Sequence, residues 1–271
     1  MDALVQQIGI KTDLYNVLTM LGLIFSRILP VVYLCPFPGG RMLLSPVKIG
    51  ISIVFSLILF PLLHLDENTH ELLRGGLLFI YFAKEICIGF AIGFIGTLPF
   101  YAFESAGHLI DIQQNSSLAN VLVPQMQAHS TLFGNFYFQS GLIVFLGING
   151  HHFFIKALFN SFLVLPICSF PSLSNSVMEF MQVVVRLTAD LLVIVIELSA
   201  PAIITIFLID IMMALMNKIA PHFNVFIFSM PIKSLSGVII MLCAFSFMVI
   251  KISAVMSSVL TQLIHIIELL R

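Results

Sequence analysis

Four ionisable side chains stand in one long apolar run: Arg186, Asp190, Glu197 and Asp210 all lie between residues 180 and 213. At 100° per residue, Arg186, Asp190 and Glu197 fall within about 40° of one another on a helix, and Asp210 points elsewhere. Arg186 and Asp190 are four residues apart, a spacing at which opposite charges can pair. A charge at mid-membrane costs about 2.5–3.5 kcal/mol on insertion scales, so such groups face protein or water rather than lipid. The stripe therefore reads either as a satisfied buried pair near the membrane edge or as a helix facing a hydrated path or another subunit. A second polar concentration runs over residues 104–127, ESAGHLIDIQQNSSLANVLVPQMQ. It mixes Glu104, Asp111 and several Gln, Asn and Ser with Leu109, Ile110 and Ile112, and no Lys or Arg lies between Phe103 and Thr131. It is either a solvated connector or the lining of something polar at membrane depth. Covalent and nucleotide chemistry have no support, because HExxH, GxSxG, GxxxxGK[ST] and GxGxxG are all missing. His151-His152 has no metal-spaced partner and reads as a short interfacial turn. No catalytic residue, cofactor or metal is expected.

These residues must be positioned by membrane helices. The chain of 271 residues is 59% hydrophobic and only 9% charged, with mean hydropathy +1.10, whereas soluble proteins carry about 25% charge. A net charge of −1 gives no electrostatic case for nucleic acid. Cys35, Cys87, Cys168 and Cys243 are isolated in or beside apolar runs and read as small hydrophobes. Asp2 and Asp13 against Lys11 make a poor signal-peptide start, so the first apolar run is read as a retained span. A helix needs about 20 apolar residues to cross the hydrocarbon. Candidate spans are 14–34, 47–65, 77–101, 130–148, 180–213 and 235–262, with a shorter run at 153–167. The class is all-α polytopic membrane protein with about six or seven long hydrophobic helices in a single domain over 1–271. Gly89 and Gly93 form a GxxxG pair, a packing face of unassigned partner. Lys84 and Glu85, being adjacent, point to different faces, which argues against a direct pair. Pro36, Gly39, Gly40, Pro221 and Pro231 mark turns. Two functional classes remain: a conducting or gating component built around 104–127, or an ion-coupled secondary transporter built around the charged stripe. The second would be expected to show two similar halves, and no convincing internal repeat is present.

Several motifs together resemble one family. Arg27-Ile28-Leu29-Pro30, Pro36-Phe37-Pro38-Gly39-Gly40, Val47-Lys48 and Pro61 look like its N-terminal signature. Ala106-Gly107-His108-Leu109-Ile110-Asp111-Ile112-Gln113 with Ser116-Ser117 looks like its central motif. Asp210, Ala220-Pro221-His222-Phe223-Asn224-Val225-Phe226 and Pro231-Ile232-Lys233 look like its C-terminal signature. The family is the FliR/SctT subunit of type III secretion export gates, and the Pro-Phe-x-Gly-Gly turn and Ile-Asp-x-Gln stretch look more like the injectisome branch than the flagellar one. Two departures stand out: Gln114-Asn115 where that branch usually carries Arg-Gly, and His222 where it often carries Gln.

The resemblance implies a non-enzymatic, single-copy subunit of the bacterial inner membrane, held within the secretion basal body. Residues 1–180 would resemble an R/P-type subunit, with a central polar loop at 104–127, fused to an S/Q-like helical hairpin at 181–271. Its partners would be about five R/P-type and about four S/Q-type subunits, a U/B-type switch protein, the cytoplasmic ring protein of the gate, membrane lipid and unfolded secreted proteins in transit. Gly107, Leu109, Ile110, Asp111, Ile112, Gln113, Gln114, Ser116 and Ser117 would form a plug or gate loop. Arg186, Asp190, Glu197 and Asp210 would make inter-subunit contacts.

Overall fold

The computed structural model describes residues 14–40, 43–63, 77–114, 132–167, 169, 176–222 and 224–269. In chain order they form α1 (Leu14–Leu34), α2 (Pro36–Gly39), α3 (Ser45–Leu59) with a 3-10 turn at Phe60–Leu62, α4 (Leu77–Gln113), α5 (Leu132–Gly147), α6 (Gly150–Val164), α7 (Ser176–Ile219) and α8 (Val225–Leu269). No strand occurs among the described residues. Chains this apolar satisfy their backbone polar groups within each helix, because lipid offers no substitute partner.

The class matches the sequence reading, but the span count is lower. Among the described residues, α1, α4, α7 and α8 are long and apolar enough to cross a membrane, and α5 with α6 makes a fifth if the bent pair is one span. The expected span at 47–65 is instead the 15-residue α3, about 22 Å long at 1.5 Å per residue and too short to cross. The runs at 130–148 and 153–167 become the separate helices α5 and α6. Asn149 between them takes a positive φ of 58°, and such a residue cannot continue a right-handed helix.

The chain divides into two compact units. Unit 1 holds Met1–Thr97, Phe153–Met181 and Leu263–Arg271; unit 2 holds Leu98–His152 and Gln182–Gln262.

In unit 1, α1 supplies Met20, Leu23, Ile24, Ile28 and Val32 to a core completed by Leu59, Tyr81, Phe162 and Ile167. The glycine face of α4 packs on α1. A methyl group at Gly89 would be driven into the Arg27 carbonyl, and one at Gly93 would sit 3.0 Å from the Val31 Cα. The GxxxG pair thus has its partner, with backbones in near contact. Helix α1 stops at Cys35, held extended (φ −71°, ψ 133°) as a proline requires of its predecessor. Gly40 then turns the chain with φ 47°, donating its N–H to the Pro36 carbonyl at 2.7 Å. Burial pushes the Cys35 thiol up to about 12, a backbone hydrogen bond with Phe37 offsetting part of the rise.

In unit 2, Phe100 packs edge-on against Phe145 with centroids 5.5 Å apart and tilts against Phe138 at 6.1 Å. Phe103 fills the space over Gly141. Pro221 lies in the turn between α7 and α8. Pro231, expected in a turn, instead lies inside α8. Its missing N–H frees only the Ile227 carbonyl, and the apolar helix continues on both sides.

Candidate gate segment and its ionic supports

The first ten residues of the 104–127 stretch are helical, because α4 continues to Gln113. The reading of the whole stretch as a loop is therefore corrected for this part: the backbone bonds of a 37-residue helix carry it on past its apolar portion. On the helix, Gly107, Ile110, Asp111 and Gln114 fall at i, i+3, i+4 and i+7, and all four are buried. Ile112 is 48% exposed, Gln113 is exposed and Leu109 is half-buried. Ser116 and Ser117 lie outside the described residues.

The buried stripe faces the start of α5. Both Phe133 N–H (3.0 Å) and Gly134 N–H (3.2 Å) donate to Asp111 Oδ2. The first N–H groups of a helix have no partner within it, and a carboxylate there also meets the positive end of the helix dipole. Asp111 thus caps α5 from another helix. Gly107 makes the approach possible, since a methyl there would meet the Phe133 carbonyl group. The side chain thereby fastens together the two ends of the segment between Gln114 and Leu132. Gln114 is 4% exposed, and among the described residues its Nε2 has no hydrogen-bond partner. It seats against Gly237 of α8, where a methyl would collide with the amide.

The charged stripe of α7 is not buried within this chain. Arg186 and Asp190 are exposed, and among the described residues no ion pair joins them. Their order, cation before anion at i,i+4, is the weaker orientation against the helix dipole. Glu197 and Asp210, by contrast, each meet a lysine from α8. Lys251 Nζ lies 2.9 Å from Glu197 Oε2, with the side chains 38% and 45% exposed. Lys233 Nζ lies 2.5 Å from Asp210 Oδ1, with the lysine 7% and the aspartate 43% exposed. Two ion pairs between the helices thus tie α7 to α8 in unit 2.

Sequence reasoning missed the strongest ionic site. In unit 1, Arg27 of α1 and Glu85 of α4 are both fully buried, and Arg27 Nε donates to Glu85 Oε2. The guanidinium also donates from Nη1 to the Ser161 carbonyl (2.8 Å) and from Nη2 to the Leu165 carbonyl (2.9 Å), and it lies 4.2 Å from the Phe162 ring centre. Lys84 Nζ is 2.9 Å from Glu85 Oε1 and donates to the carbonyls of Ile167 (2.6 Å) and Ser169 (2.9 Å). The contact with Oε1 is an ion contact, and among the described residues that oxygen accepts no hydrogen bond. Two cations and one carboxylate thus hold the end of α6, where the negative end of the helix dipole favours positive charge. Lys84 and Glu85 do meet, contrary to the expectation from adjacency, because the four-carbon lysine stem bends round. The available signal was Arg27 itself, an arginine inside an apolar span that demanded a buried acid.

His151 and His152 open α6 with ring centres 4.3 Å apart, and no cluster of three or more His, Cys, Asp or Glu suited to a metal occurs among the described residues.

Over residues 18–259 the chain matches the family model described as bacterial export proteins, family 1. It is similar to the Yop proteins translocation protein T of Yersinia pestis, 33% identical over 204 residues covering 72% of this chain and 74% of that one. It is similar also to the flagellar biosynthetic protein FliR of Bacillus subtilis, 28% identical over 229 residues covering 82% and 84%. The secretion system apparatus protein SsaT of Salmonella typhimurium is 31% identical over 163 residues, covering 60% and 62%.

Proposed function

Because the chain belongs to family 1 of the bacterial export proteins, we propose that it is a membrane subunit of a type III secretion export gate, of the kind that secretes proteins rather than building flagella. It acts as a structural component and not as an enzyme. The secretion-system relatives, at 33% and 31% identity against 28% for the flagellar one, favour that branch.

One observation carries the need for an assembly. Helices α7 and α8 have 44 and 45 residues, about 66 and 68 Å at 1.5 Å per residue, and their apolar windows run to 42 and 38 residues. Hydrocarbon is about 30 Å thick. Apolar helices twice that long cannot be covered by lipid along their whole length, so other subunits must cover the remainder. Arg186 and Asp190, exposed and without an ion-pair partner among the described residues, are suited to that contact.

In the closed gate, Asp111 holds the two ends of the segment that follows Gln113. The outward Ile112 and Gln113 face the translocation path, where an apolar group seals and an amide tolerates passing polypeptide. Ile110, taken up by the chain's own core, supports rather than seals. The gate contains a single copy of this chain with about five R/P-type and about four S/Q-type subunits, a U/B-type switch protein and the cytoplasmic ring protein, in the inner membrane.

Purification of the tagged chain in mild detergent from its native background, with quantitative mass spectrometry, tests this reading. Two small polytopic partners in several-fold excess are expected. A stable monomer or symmetric homodimer without partners overturns it.

A further inference from the structure

A groove of about 380 Å³ in unit 1 is lined by Lys156, Ala157, Phe159, Asn160 and Leu163 of α6 and by Ile264 of α8. The α6 residues share one helical face by their spacing of three and four. Lys156 is exposed and Asn160 half-buried, one turn apart, and neither has a hydrogen-bond or ion-pair partner among the described residues. Lys84, Lys233 and Lys251 each hold a carboxylate; among the described residues Lys156 holds none. Below these two polar groups the groove is apolar, and Leu163 is 71% exposed.

We propose that this groove binds an anionic phospholipid. The headgroup phosphate sits on the Lys156 ammonium and the Asn160 amide, and an acyl chain lies along Phe159, Leu163 and Ile264. A lysine in an apolar helix extends its stem to bring the ammonium to the headgroup level, and a basic pocket beside membrane helices selects negative lipid. A net negative headgroup matches the Lys156 cation. A choline headgroup would instead set its own cation against Lys156. The site lies within one chain and stands whether or not the export-gate reading holds.

The test uses the full chain in its native complex, exchanged into mixed micelles containing phosphatidylglycerol or phosphatidylcholine, with retained lipid counted by native mass spectrometry. The wild type is expected to retain phosphatidylglycerol about fivefold over phosphatidylcholine, the effect of one basic residue at a charged surface. K156Q should bring the two near parity, and K156R, which keeps the charge, should preserve the preference. Equal retention of both lipids by the wild type, or an undiminished preference in K156Q, overturns the proposal. Protection of Lys156 from acetylation in the delipidated complex would also overturn it, because a protein would then cover the groove.

Discussion

The ion pairs of the two units use the same chemistry in opposite surroundings. Arg27 and Glu85 of unit 1 are 0% exposed, and every arm of the guanidinium is engaged. Glu197 and Lys251 of unit 2 are 45% and 38% exposed, on helices whose apolar surface is itself largely uncovered. A buried pair stripped of one member leaves a charge in a low-dielectric interior, at a cost of about 3–5 kcal/mol. An exposed pair is worth ~1 kcal/mol or less. The first is a condition of folding. The second ties the two helices of the hairpin together at its surface.

The largest effect is expected at Arg27. Arg27→Met removes the hydrogen bonds to Ser161 and Leu165 and leaves Glu85 held only by Lys84, so yield and thermal stability in detergent should fall by about 3–5 kcal/mol. Arg27→Lys should rescue little, because an ammonium lacks the planar fork that reaches three acceptors. The double variant Arg27→Met with Glu85→Leu should recover part of the loss; equal stability of single and double variants would mean that the pair is not the unit of stability.

A smaller and local loss is expected at Asp111. Asp111→Ala deprives the Phe133 and Gly134 N–H groups of their acceptor, a cost of about 1–3 kcal/mol. Hydrogen exchange should quicken at the start of α5 while the Arg27 region keeps its protection. Uniform quickening across both units would show that Asp111 supports the whole fold and not one joint.

Least of all is expected from Lys251→Ala, at most ~1 kcal/mol, read as a small shift in melting temperature. A loss approaching that of Arg27→Met would erase the contrast between the units. Cys35 gives a null to measure. Its raised pKa leaves almost no thiolate between about pH 7 and 10, and thiolate is the reactive form, so maleimide labelling of a variant keeping only Cys35 should stay negligible over that range. Brisk labelling that rises with pH would show the α1–α2 corner open.

Much of this was legible in the sequence, and the gaps have physical causes. Apolar runs announced α1, α4, α7 and α8, since nothing else in the chain could cover so much hydrocarbon. The GxxxG pair announced a packing face, but only tertiary structure could name Arg27 and Val31 as what it meets. The absence of any Lys or Arg near Asp111 marked residues 104–127 as unusual. Its partners stayed hidden because they are backbone N–H groups, which carry no residue signature. Lys84 was misread because adjacency on a helix constrains Cβ directions and not the tip of a long side chain. Spacing alone allows Arg186 and Asp190 to pair or to face a path or another subunit, and their order along the helix makes the pair the weaker orientation. Helix breaks at Asn149 and after Leu59 turned expected spans into shorter pieces, a distinction hydropathy does not carry.

The central claim is that protein, and not lipid alone, covers the outer face of the α7–α8 hairpin. The most direct measurement places a photo-cross-linking amino acid at Ile196, which is 64% exposed and lies on α7 between Asp190 and Pro201, in cells that secrete. Discrete adducts with other membrane subunits of the apparatus are expected, lost when those subunits are deleted. Adducts with lipid only, in cells where the apparatus is assembled and active, would contradict it.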